Sequence, residues 1–426
     1  MKSHNTKKIS KVNIHFKQPV GLHIIAIMTF CICTSIVPFV TLLTQYGNID
    51  LFYNRNDQIF VLFFAGIFGC LSNYLLGSTK SIIHGLQFII LAIILSFINN
   101  ITSFSSAVLW ASIAITIVNL LLSLSSFYLK TDLRRLYGFI GVYSSAILGM
   151  AAGILIYFVF LKNLYHFKIF YLILIVLLLL FFMKNNYKLN TSLISRTERF
   201  KISFYGVFVI YLIFALILFY LLTHTHLFSL INVITLPVSL VVLHLLTVYN
   251  NKENGFELLK YIYFSLALIV LNKFIYLSFL RYENTINPVY INSTISTFLF
   301  LILAYLLCVS IYVGWRFKLI TLRVEAITNS SLIKTMLYIE IIRILILLIS
   351  IITPDYLTSN ILLVFATILG LILNVFIVPI YFSLGKILAG GKNELFITSL
   401  LYLIFSSLIF VSFLYDACFC NFAYYF

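Results

Sequence analysis

The chain reads as apolar runs of about 20 residues parted by short polar links, with neither the alternation of a half-buried strand nor the charged outer face of a soluble helix. The runs fall at 20–45, 57–77, 81–99, 104–128, 137–161, 167–183, 203–223, 227–248, 257–280, 294–315, 333–353, 359–385 and 394–415. Each can cross ~30 Å of hydrocarbon as a helix, so the pattern predicts about thirteen spans and an all-α, polytopic membrane protein. Between the second and third runs stand Gly77, Ser78, Thr79 and Lys80. A glycine able to take a left-handed backbone, with a lysine beside it, predicts a tight cytoplasmic hairpin. The longest polar link, 184–201, divides the chain after six spans, a plan common among secondary transporters.

Composition excludes an ordinary soluble protein: the 426 residues are 62% hydrophobic and 9% charged. The net charge of +16 is dispersed among the links, which suits topology and anionic lipid headgroups rather than nucleic acid. With the amino terminus in the cytoplasm, about 22 basic residues fall inside, from Lys2 to Lys392, against Arg55, Lys162, Lys168 and Arg281 outside. One missed span would invert that asymmetry. Cys31, Cys33, Cys70 and Cys308 lie in or beside apolar runs as small hydrophobes, and Cys418 and Cys420 have no partner spacing for a metal. No phosphate loop, zinc-ligand helix or cofactor motif stands in the chain, which argues against an enzyme and against a pump with its own ATP site.

Several links carry a family pattern. Gly69, Leu71, Leu76, Gly77, Lys80, Ile82 and Gly85 match, without a gap, the loop after the second helix of the proton-coupled oligopeptide transporters of the major facilitator superfamily, with Asn73 and Tyr74 at its acid and arginine. Gly138, Phe139, Tyr143 and Gly149 resemble that family's fifth helix, with Ile147 at its asparagine. Gln18-Pro19-Val20-Gly21-Leu22 resembles its start of helix 1, and Pro379-Ile380, Ser383 and Lys386 its close of helix 10. The resemblance implies two six-helix bundles, 1–184 and 251–426, a cytoplasmic linker at 185–202, and two extra helices at 203–250. The second bundle would lack a clear last helix.

The resemblance also assigns positions. Gly69, Gly77, Lys80 and Gly85 would form the conformational loop. Its proton-coupling and peptide-holding residues fall on Thr29, Ile32 and Cys33 in the first span, on Ser123, and on Asn374. None of these titrates as the family's do, so uniport or altered coupling is implied.

Charges inside spans cost about 3 kcal/mol each at mid-bilayer and so invite a role. Lys273, beside Asn272, would face a central cavity and hold a substrate carboxylate, with Asn119, Ser123, Tyr143 and Asn374 as further lining. Snorkelling or a structural pairing of the lysine is the alternative, and asparagines also join helices. Glu340 and Arg343 share a helical face at i, i+3 and would pair; Glu340 is the carboxylate candidate for a proton. Pro38, Pro237 and Pro379 are expected to interrupt their spans.

The sequence thus points to a monomeric secondary carrier of a small solute, a di- or tripeptide or amino-acid-like compound, lying in lipid, with no nucleic acid and no cofactor. The Phe, Ile, Asn and Lys bias suggests an AT-rich bacterial source and its inner membrane. A polysaccharide or lipid-linked oligosaccharide exporter, and a non-transporting receptor or scaffold descended from a carrier, are the competing readings.

Overall fold

The computed structural model describes residues 18–45, 66–98, 101–129, 132, 134–160, 164–190, 204–223, 225–251, 293–317, 331–353 and 356–390, with single positions between 259 and 267 and between 394 and 404. Among the described residues every regular element is a helix: α1 (Val20–Gln45), α2 (Gly66–Leu76), α3 (Ser78–Leu95), α4 (Thr102–Ser126), α5 (Arg134–Phe160), α6 (Leu164–Asn185), α7 (Phe204–Thr223), α8 (Thr225–Asn250), α9 (Ser293–Arg316), α10 (Ser331–Ile352) and α11 (Tyr356–Leu388). These follow the apolar runs. Leu259, Tyr263 and Ala267 are helical within the run 257–280, and Glu394 to Ile404 supplies helical positions in the run 394–415.

Two details differ from expectation. The link between the second and third runs is one residue, because Ser78, Thr79 and Lys80 already belong to α3. Gly77 N–H donates to the Asn73 carbonyl at 2.9 Å, and its own carbonyl accepts from Ser81 at 3.1 Å, so both helices keep their bonding up to the glycine. Its φ of 80° supplies the bend that an L side chain resists. Nor do Pro237 and Pro379 break their helices, which run on through both prolines. In hydrocarbon a frayed helix end would expose several backbone groups, whereas a proline forfeits one hydrogen bond.

The helices gather around two hydrophobic cores. The first joins α1, α2, α3, α4, α6 and α7 to Phe139 and Val142 of α5 and Phe382 of α11. Its axis is α4, where Ala107 to Ile115 are buried without a break. At its margin α6 turns Ile173, Leu177, Leu180 and Met183 outward, so its lack of a polar face suits a helix that borders lipid. The second core joins α8, α9, α10, α11 and the helical positions after 394 to Leu136, Tyr137, Ile140 and Ile147 of α5. Helix α5 therefore belongs to both. It packs most extensively on α1, and then on α9 and α11.

Candidate functional site

The glycines of the family-like segments stand where helices approach too closely for a side chain. A Cβ at Gly69 of α2 would lie 2.8 Å from Val118 Cβ of α4, one at Gly85 would meet the Thr116 hydroxyl, and one at Gly149 would collide with the Phe30 carbonyl of α1. Gly77 differs: no atom lies within 4 Å of a Cβ built there, and its requirement is its backbone alone. Lys80 is half-buried in the first turn of α3.

Between α2 and α4 the close approach brings a polar knot together. Asn119 is fully buried; one Nδ2 hydrogen goes to the Ile115 carbonyl (2.8 Å), the other is shared between the Gly69 carbonyl (3.1 Å) and the Ser72 hydroxyl (3.2 Å), and Oδ1 accepts from Asn73 Nδ2 at 2.7 Å. Asn73 stands where the family carries its loop acid; here a neutral amide binds a neutral amide. Ser123, one turn on, is buried and donates to the Asn119 carbonyl at 2.8 Å. The hydrogen bonds of Asn119 and Ser123 thus lie within the packed α2–α4 pair. Tyr143 is half-buried on α5 against the second core.

The three positions of the family's first-helix charges are packed in the first core's side of the α1–α5 crossing. Thr29 donates to its own helix at the Ile25 carbonyl (2.8 Å), Ile32 is fully buried, and Cys33 touches the Gly149 crossing. Apolar and self-satisfied side chains let two helices close where charged ones would need water or partners.

Glu340 and Arg343 meet as their spacing predicts, with Arg343 Nη1 3.7 Å from Glu340 Oε1 and the carboxylate nearly buried. The guanidinium lies across Gly370 of α11, in the space a side chain there would fill. The pair therefore sits between α10 and α11, and the glycine makes room for it. Lys273 and Asn272 lie outside the described residues, as does the side chain of Asn374, whose backbone is part of α11.

A second constellation escapes the sequence reading. At the end of the molecule that carries the Gly77 turn, Arg135 is fully buried, 3.6 Å from Glu394 Oε1. Ser125 stands between them: it accepts from Arg135 Nη2 at 2.9 Å and donates to Glu394 Oε1. Beside this group, Tyr137 of α5 stacks on Trp315 of α9 with centroids 4.4 Å apart, and Tyr312 approaches Gly141. Asp132 holds the start of α5, accepting from the Arg134 amide (2.9 Å) and pairing with its guanidinium (2.8 Å). The group joins the ends of α4 and α5 to the segment after α11, so it fastens the first core to the second. Among the described residues Arg135 Nε and Nη1 have no hydrogen-bond partner. A buried guanidinium satisfied at one nitrogen contributes little net stability, and such a bond can break without unfolding what it joins. Arg135 is one of the basic residues between Lys2 and Lys392 that the charge asymmetry places inside. The available signal was Glu394, an acid at the head of an apolar run.

No protein-family model matches the sequence, and no curated protein is recognisably related to it. Its fold, however, is shared with solved transporters. It superposes on a POT family transporter in complex with a thioalcohol-conjugated peptide at a TM-score of 0.63 and 16% identity, covering 93% of this chain and 90% of that one. A POT family transporter in complex with 5-aminolevulinic acid gives a TM-score of 0.63 and 16% identity over 94% and 91% of the two chains. The human organic anion transporter MFSD10 (TETRAN) gives 0.51 and 13% over 92% and 90%. The chain has the fold of these multi-pass membrane transporters.

Proposed function

We propose that this protein is a divergent member of the POT family, a secondary carrier that moves a di- or tripeptide or an amino-acid-like compound by alternating access. One observation carries the reading: nearly the whole chain follows the path of transporters solved with a peptide conjugate and with 5-aminolevulinic acid. Alternating access requires two bodies that meet at one end while parting at the other. The two cores are those bodies, and their seam runs along α5 against α9 and α11. In this reading the asymmetry of basic residues puts the latched end in the cytoplasm and the residue bias puts the protein in a bacterial inner membrane, so the conformation described is closed toward the cytoplasm.

In this reading Lys273 holds a substrate carboxylate in the central cavity, with Asn272, Asn374 and Tyr143 around it and Ser123 and Asn119 setting the wall behind. The close packing of Thr29, Ile32 and Cys33 favours a facilitator that has kept the fold and lost the family's coupling. If a proton is carried, Glu340 receives it, and Arg343 over Gly370 holds the group between α10 and α11. The same loss of charge also fits a non-transporting receptor descended from a carrier, which is the second reading.

The test is uptake of a mixed dipeptide pool by the purified protein in liposomes, with and without an inward proton gradient, for wild type and Lys273→Ala. Uptake that needs Lys273 and ignores the gradient is the expected result. Gradient-driven uptake establishes symport and makes Glu340→Gln the next variant. No uptake under either condition overturns the carrier of peptides and favours the exporter and receptor readings together.

A further inference from the structure

The α7–α8 hairpin divides its loyalty between the two cores. Helix α7 belongs to the first. Its stripe Val207, Tyr211, Phe214, Ala215 and Leu218 is buried there, while Tyr205, Val209, Ile213 and Tyr220 face outward. Phe214 stacks on Phe68 of α2 at 4.4 Å and Tyr211 on Phe88 of α3 at 4.6 Å, and the Tyr211 hydroxyl donates to the Ser81 carbonyl at 3.0 Å. Helix α8 belongs to the second core, in which Leu243 is fully buried. Tyr263 donates to the Leu240 carbonyl at 3.3 Å and stacks on His244. Just past its end, Asn251 donates to the Leu388 carbonyl at 2.7 Å, satisfying an acceptor that the end of α11 leaves free. Gly390, at φ 57°, closes α11 so tightly against Asn250 that a Cβ would lie 2.8 Å from its carbonyl.

Among the described residues α8 packs on α7 more than on α9, α10 or α11, so its hold on the second core runs through Leu243, Tyr263 and Asn251. The two helices are joined through one residue between Thr223 and Thr225. Phe219 meets Phe104 at the start of α4, which places that junction at the end of the molecule opposite the Arg135–Glu394 latch. Pro237 removes one backbone bond from α8 between the junction and the Leu240–Asn251 anchor.

We propose that the hairpin is a tie between the two moving bodies: α7 is fixed to one, α8 to the other, and the short junction limits how far they part at the end away from the latch. The inference rests on the carrier reading and adds to it a stop on outward opening. Two bodies rocking about a seam separate most at their ends, so a link at one end resists that separation directly, whereas the α8 anchor lies near the latched end and moves little.

Spin labels test the tie without any substrate. In a chain whose native cysteines are replaced by alanine, labels at Ile98 and Ile352, both exposed, read the end with the junction; labels at Leu129 and Phe317, also exposed, read the latched end. Asn251→Ala frees the α8 anchor by one hydrogen bond and raises the wide-to-narrow ratio of the Ile98–Ile352 distances about fivefold. A Gly-Ser-Gly insertion after Thr223 slackens the junction without touching either anchor and acts in the same direction. A hairpin that serves packing alone lowers thermal stability in Asn251→Ala and leaves the distances of the insertion variant unchanged, which overturns the tie. So does an Ile98–Ile352 distance that stays single and fixed in both variants. Failure of the carrier reading leaves another trace, namely no uptake in liposomes while the distances still respond.

Discussion

At the scale of single residues, the Asn73–Asn119 knot joins two helices, while Thr29, Ser112, Thr116 and Ser123 bond back to their own helices. Asn119 joins them with one N–H shared between the Gly69 carbonyl and the Ser72 hydroxyl and with the bond it accepts from Asn73, while its other N–H returns to Ile115 of its own helix. An average interhelical hydrogen bond in a membrane is worth about 0.6 kcal/mol, whereas a buried amide stripped of its partner costs about 1–3 kcal/mol. Orphaning the partner therefore dominates. Asn119→Leu is expected to lower stability by about 1–3 kcal/mol through the amide it strands on Asn73, and Asn73→Leu with Asn119→Leu to recover most of that loss. Thermal unfolding of the three proteins in detergent, by intrinsic fluorescence, decides it. Equal loss in the single and double variants would show that shape, not pairing, sets the cost.

At the scale of helices, the crossing of α1 and α5 sets the first body's geometry, and it turns on Gly149. A leucine there meets the Phe30 carbonyl, which is backbone and cannot step aside. Gly149→Leu is expected to abolish the folded peak in size-exclusion chromatography, whereas Gly141→Ala, whose Cβ would find Tyr312 at 3.5 Å, is tolerated. Helix existence was legible because hydrocarbon demands long apolar runs and leaves them unmixed with charge. The Gly77 turn was legible for a kindred reason, since few residues take its backbone. The Ser78 start of α3 was not, because serine, threonine and lysine are as common in links as in first turns. The Glu340–Arg343 pair could be read from local spacing. The Arg135 group could not: Ser125 and Glu394 are 269 residues apart, and no local pattern carries a contact of that range. A basic residue at a helix end says cytoplasm in one chain and latch in another, and only the fold separates the two.

At the scale of the molecule, the proposed carrier would close through a few groups, the Arg135–Glu394 latch and the α5 seam. Glu394→Ala leaves Arg135 buried and uncompensated, which costs the closed form about 3–5 kcal/mol, while the open form lets water reach the guanidinium. The closed-to-open ratio is then expected to fall by about two orders of magnitude or more, read as a longer Leu129–Phe317 distance. Arg135→Leu combined with Glu394→Leu removes both charges and is expected to restore the short distance. A short distance in Glu394→Ala alone would mean that the Tyr137–Trp315 stack and its neighbours hold that end without the ion pair.

The Glu340–Arg343 pair bears on how such a molecule is made. A chain enters the bilayer helix by helix, before its final neighbours have arrived. Because both charges lie on α10, one turn apart, the helix brings its counter-ion with it and meets lipid with no net charge in its middle. Had the arginine been placed on α11 instead, each helix would have had to cross the insertion machinery with a bare charge and wait for the other. Gly370 then needs to offer only a space, and α11 docks on a helix that is already electrically complete.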